Sequence, residues 1–188
     1  AKFLYHVLDD GTAVRYPVGV GRAGKSFAGD GIIQLKKKWP GWTATANMLR
    51  TEPDVYGPFA RGIPGGLRSP LGAAALYLYR NGRDTYYRIH GTNDLGSIGN
   101  SGSAGCIRMF NQDILHLYDA VPTGVKVHVR SEAESLRVDP ENYLRGIELP
   151  AKHIDPDAIY GEEAIANDRP PDFDAVDPNT LITIVGSN

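Results

Sequence analysis

The sequence predicts a mainly β domain with one or two short helices, followed by an acidic extension, and three observations carry this expectation. Asp9-Asp10-Gly11 and Asn81-Gly82 are tight-turn pairs set between β-prone segments. Alternating or continuous apolar stretches of strand length outnumber windows of helical spacing. The charge changes sign near Arg130. With 188 residues, 41% of them apolar, the chain can enclose one hydrophobic core. Its 22 Gly and 13 Pro fall short of the range where disorder is the default, so collagen, coiled-coil and wholly disordered readings drop out.

Taken in order, Phe3 to Gly19 reads as two short strands around the Asp-Gly turn, with Ala13, Val14, Tyr16 and Val18 continuing the β pattern. Val20 to Asp30 is a Gly-rich, charged loop, and Gly31 to Lys38 is an imperfect strand with Ile33 and Leu35 on one face. The run Lys36-Lys37-Lys38 reads as a solvated edge that resists aggregation. Trp39 to Leu71 is rich in Pro and Gly and too long for a casual connection, so it is expected to be ordered surface around a cleft, with a short helix at Ala44 to Arg50. Ala73 to Tyr79 and Asp84 to Ile89 form a hairpin through Asn81-Gly82. Ile114, Leu115, Leu117 and Tyr118 give Asn111 to Ala120 helical spacing, with Asn111 as candidate N-cap, and Val125 to Val129 is a closing strand. Beyond Arg130 the pattern dissolves, with a candidate helix at Pro140 to Ile147.

Residues 1–129 hold 15 Lys/Arg and 9 Asp/Glu, a balance of +6, while residues 130–188 hold 5 and 13, a balance of −8, in agreement with the net −2. A basic half suits an anionic substrate, and the acidic remainder reads either as a solvated tail or as a cover for it. The longest near-apolar run, Gly72 to Tyr79, has 8 residues and is far too short to cross a bilayer. The chain opens without a basic-then-apolar leader, which leaves a cytosolic protein or one whose secretory signal has been removed.

Cys106 is the only cysteine, so no intrachain disulfide exists and one thiol needs a role. At pH 7 only about 3% of an ordinary thiol is thiolate, and a neighbouring imidazole supplies the missing base. His90 lies 16 residues upstream at a strand end, and the Gly/Ser/Asn-rich connection between them can fold back. Gly105 lets the backbone approach a reacting carbonyl, and the amides of Gly105 and Cys106 are candidate oxyanion donors. Arg108 offers a planar fork of donors for a carboxylate. These are the parts of an acyl-transfer enzyme. His6, His116, His128 and His153 show no metal-ligand spacing, so neither metal nor cofactor is expected.

The segment HGTNDLGSIGNSGSAGCIRM (residues 90–109) resembles the signature of the L,D-transpeptidase catalytic domain, the YkuD family. Trp39-Pro40-Gly41-Trp42, Pro64-Gly65-Gly66, Ser69-Pro70-Leu71-Gly72 and Gly124-Val125-Lys126-Val127 also resemble family landmarks, extending the likeness over roughly Phe3 to Val129. The resemblance implies a β-sandwich-like fold with short helices and a lid, a catalytic domain at 1–129 and an acidic extension at 130–188. It implies Cys106 as nucleophile, His90 as proton acceptor, the Gly91 carbonyl as the group orienting the imidazole, Arg108 as carboxylate binder, and Ser103 as the signature Ser/Thr that holds the loop. The implied reaction releases D-Ala from a peptidoglycan tetrapeptide stem and passes the acyl group through a Cys thioester to a second stem, giving a 3→3 cross-link. A periplasmic monomer without a nucleic-acid partner is expected. Many members carry His before the Gly-Cys pair, where this chain has Ala104, which puts all base duty on His90. Water, a D-amino acid or a protein amine as acceptor is the alternative within the same chemistry, and a non-catalytic wall-binding module is the alternative outside it.

Overall fold

The computed structural model describes residues 2–21, 27–99 and 105–141. The chain forms β1 (Phe3–Val7) and β2 (Ala13–Pro17), an antiparallel hairpin closed over Asp9-Asp10-Gly11, then β3 (Gly29–Lys38). Two short helices follow, α1 (Ala46–Thr51) and α2 (Pro53–Tyr56), then β4 (Ala74–Arg80), β5 (Arg83–His90), β6 (Ile107–Arg108), α3 (Asn111–Ala120), β7 (Lys126–Val129) and α4 (Glu132–Val138). The expected mainly β class with short helices is what the chain adopts. Asn81 and Gly82 both take positive φ, 52° and 73°, as the two-residue turn between β4 and β5 requires.

Five strands make one sheet in the order β6-β5-β4-β3-β7, antiparallel except for β5 and β6, which run parallel. One face carries Leu76, Leu78 and Ile89, all at most 1% exposed, and α3 covers it with Ile114 and Leu117. Tyr16 and Val18, from the β1–β2 hairpin and the residues after it, join the same core. Burying a Leu or Ile side chain contributes roughly 1.5–3 kcal/mol, so this face dominates the stability of the domain.

Three expectations change. Lys36 is not part of a solvated edge: β3 lies between β4 and β7, and the Lys36 Nζ donates to the carbonyls of Tyr118 and Val121 at 2.5 and 2.7 Å. α3 has no basic residue in its last turn, and a lysine from the sheet satisfies the carbonyls that a helix end leaves open. Asn111 is not the N-cap of α3, which is Phe110; its side chain is drawn away to other backbone groups described below. α4 was not foreseen, although Ser131 and Glu134 have capping-box spacing and Ser131 Oγ accepts from the Glu134 amide at 3.2 Å. The candidate helix from Pro140 falls almost wholly outside the described residues.

Candidate active site

Side chains alternate across a strand, and the register of β5 with its neighbours sorts them. Ile89 faces Leu76 and Ile107 on the core side, while His90 pairs with Ala75 and Arg108, and Arg88 pairs with Tyr77. Arg88, His90 and Arg108 therefore share the opposite face of the sheet. Cys106, one residue before β6, continues that face beside Arg88. His90 and Cys106 are thus diagonal neighbours across a parallel pair, a separation that side chains can span.

His90 is 4% exposed, and its Nδ1 lies 2.5 Å from the Gly91 carbonyl oxygen. A carbonyl only accepts, so Nδ1 carries the hydrogen and Nε2 of the neutral ring is left with a free lone pair. Burial pushes the His90 pKa down to about 4; the hydrogen bond to Gly91 works against this, and the nearby Arg108 and Arg88 cations work with it. Burial pushes the Cys106 thiol up, opposed by a hydrogen bond from the Arg88 backbone and by the charges of Arg88 and Arg108. The resting pair is therefore neutral thiol and neutral imidazole. Cys106 keeps partial exposure, and its Sγ lies 3.9 Å from the Tyr86 carbonyl.

Backbone geometry holds these groups in place. Arg108 exchanges hydrogen bonds with Gly19 at 2.8 and 2.9 Å, and the Met109 amide donates to the His90 carbonyl at 2.8 Å. Gly105 has φ 135°, a region that L side chains rarely adopt, and a Cβ on Gly21 would lie 2.4 Å from the Gly105 Cα. Two glycines are thus needed for the thiol to sit where it does. Ser103 and Ala104 lie outside the described residues.

Arg88, Asp84 and Asp94, which the sequence reading did not single out, complete the face, and Asn111, expected there as an N-cap, fastens the backbone beside it from the start of α3. Asn111 Oδ1 accepts from the amides of Ala73 and Thr92 at 3.0 and 3.2 Å, fastening the start of β4 to the segment after His90. Asp84 receives two hydrogen bonds from Arg88, at 2.7 and 2.8 Å, and one from the Tyr86 amide, which stabilises the positive φ of Tyr86, 61°. Arg88 also lies over the Tyr77 ring at 4.3 Å. Asp94 pairs with Arg108. Arg88 was legible from its i, i+2 spacing to His90; Asp84, Asp94 and Asn111 depend on folding that no local pattern carries.

A 32% identical relative from Escherichia coli (strain K12), "Probable L,D-transpeptidase ErfK/SrfK", matches over 142 residues, 74% of this chain and 44% of its own length. The chain thus spans less than half of that relative. The YkuD protein of Bacillus subtilis (strain 168) is 46% identical over 124 residues, covering 65% of this chain and 70% of its own. A solved L,D-transpeptidase from Mycobacterium smegmatis is 18% identical, with a TM-score of 0.47 over 65% of this chain and 51% of that one. Residues 1–129 match the model of the L,D-transpeptidase catalytic domain, and the chain belongs to that family.

Proposed function

We propose that the protein is a peptidoglycan L,D-transpeptidase of the cell envelope, acting in the periplasm through a thioester on Cys106. The observation that carries this reading is the shared face of β5 and β6. It holds a buried imidazole, its Nδ1–H directed to Gly91, beside a partly exposed thiol. Because thiol and imidazole both rest neutral, the proton leaves Sγ for His90 Nε2 as sulfur attacks the carbonyl that precedes the terminal D-Ala of a tetrapeptide stem. The oxyanion that forms is received by the amides of Gly105 and Cys106, which the left-handed Gly105 frees from side-chain obstruction. His90 returns the proton to the departing D-Ala nitrogen, leaving the thioester. It then takes a proton from the amine of a second stem as that amine attacks, and the thiol is restored with a 3→3 cross-link. Arg108 anchors a donor carboxylate at contact distance.

Incubation with a disaccharide-tetrapeptide and separation of the products by mass tests this reading. Cross-linked dimers with loss of D-Ala are expected, together with a carbapenem adduct on Cys106 in the intact protein and neither in Cys106→Ala. Tripeptide alone assigns a carboxypeptidase instead. No turnover and no adduct with a demonstrably reduced thiol overturns the catalytic reading.

A further inference from the structure

The sheet face that holds the thiol carries two Arg–Asp pairs of different character. Arg88 and Asp84 are joined by two contacts, at 2.7 and 2.8 Å, with side chains 14% and 29% exposed and the guanidinium laid over Tyr77. This pair is tightly made and further fixed by the Tyr86 amide on Asp84 and the Tyr87 carbonyl on Arg88. Among the described residues, Arg108 meets Asp94 through one contact, Nη1 to Oδ2 at 3.1 Å, with side chains 24% and 60% exposed. A guanidinium has five N–H donors and binds a carboxylate best through two parallel bonds, so this second pair is loosely made and replaceable.

The backbone around Asp94 is fixed. Its amide donates to Thr92 Oγ1 at 2.9 Å, and its carbonyl accepts from Ser97 Oγ at 2.6 Å and the Ser97 amide at 3.1 Å. The Asp94 carboxylate is thereby held within reach of Arg108 while its side chain stays 60% exposed. We propose that Asp94 is a positioning residue that sets donor specificity: an internal carboxylate that occupies the Arg108 guanidinium in the free enzyme and is displaced by the carboxylate of the donor. This rests on the assignment of Arg108 as donor anchor. A donor bearing a carboxylate, held by two bonds, displaces the single-contact Asp94, whereas a neutral amide does not. Asp94 thereby weakens carboxylate donors modestly and leaves uncharged ones, which do not compete for Arg108, unaffected, so it sets how strongly the site favours a carboxylate.

Kinetics of Asp94→Asn and Asp94→Ser, with a tetrapeptide stem whose carboxylates are free and one whose carboxylates are all amidated, test the inference. For an exposed pair the expected effect is a fall in KM for the free-acid stem of about threefold at low salt, with kcat within about twofold, converging on the parent enzyme as salt is raised. KM for the amidated stem stays unchanged. A KM that is unchanged or raised in both variants, or that falls equally for both stems, overturns the inference. Binding of the same stems to Cys106→Ala, with and without Asp94→Asn, keeps the two readings apart. Absent turnover in the parent enzyme sinks acyl transfer, while absent tightening of the free-acid stem in the double variant sinks the role of Asp94.

Discussion

His90 carries its proton on Nδ1 and loses its positive charge to burial, so the acid limb of activity is displaced from the usual histidine range. With a pKa of about 4, the ring accepts a proton at any pH above that value and fails as imidazolium below it. The expected kcat/KM profile falls on the acid side around pH 4; a limb near 6.5 would contradict the buried, Gly91-bound ring. The raised thiol predicts slow alkylation of Cys106 by iodoacetamide at neutral pH, accelerating only above the ordinary thiol range. Gly21 makes a sharper test because it has no chemistry of its own. A Cβ there would lie 2.4 Å from the Gly105 Cα, so Gly21→Ala must move the residue next to Cys106, the proposed nucleophile. Displacements on the order of 1 Å at a reacting group cost about a hundredfold in rate. A drop of that order in kcat is expected while circular dichroism stays that of the parent.

Two element-level fastenings join the sheet to what lies over it, and each is a single side chain. Removing Lys36 leaves the carbonyls of Tyr118 and Val121 without their donor at the end of α3, and Lys36→Met is expected to lower stability by about 1–3 kcal/mol in urea unfolding. Asn111→Ala releases the Ala73 and Thr92 amides together, and a comparable loss is expected, this time with reduced kcat because Thr92 follows the His90-Gly91 pair. The strands themselves were legible in the sequence. Turn pairs at Asp10-Gly11 and Asn81-Gly82 and alternation in between are local signals, and the hairpins stand where those signals point. Asn111 has the residue type of an N-cap and the wrong partners for one, because tertiary amides outcompete its own helix. Lys36 looked like surface because sequence does not say which strand is interior. β6 is two residues long, and no periodicity exists at that length.

Across the molecule, residues 1–129 carry a balance of +6, a field that favours the anionic donor of the proposed function. KM for such a donor is expected to rise as salt shortens the screening length below about 8 Å, with kcat little changed. α4 is held to this body from two sides: His128 bridges Asp30 at 2.7 Å and Glu134 at 3.1 Å, and the Tyr5 hydroxyl donates to Asp139 at 3.0 Å. The hydrogen bonds to Asp30 and then to Glu134 raise the His128 pKa, so this tether is complete below the ordinary histidine value and is lost as pH rises through the raised one. Amide exchange in Glu132–Val138, corrected for intrinsic rates, is expected to quicken across that interval, and His128→Gln should remove the pH dependence. The sequence suggests pairing the thiol with the imidazole; that β5 and β6 run parallel and put Cys106 and His90 on one face of the sheet is not written in any local pattern. A hairpin forms from adjacent residues, but β5 and β6 find each other only after the intervening chain has looped back, and their contact is two residues long. A refolding experiment should therefore see β signal return first and acylation by a carbapenem only afterwards, with an interval in which the protein is shaped but chemically silent.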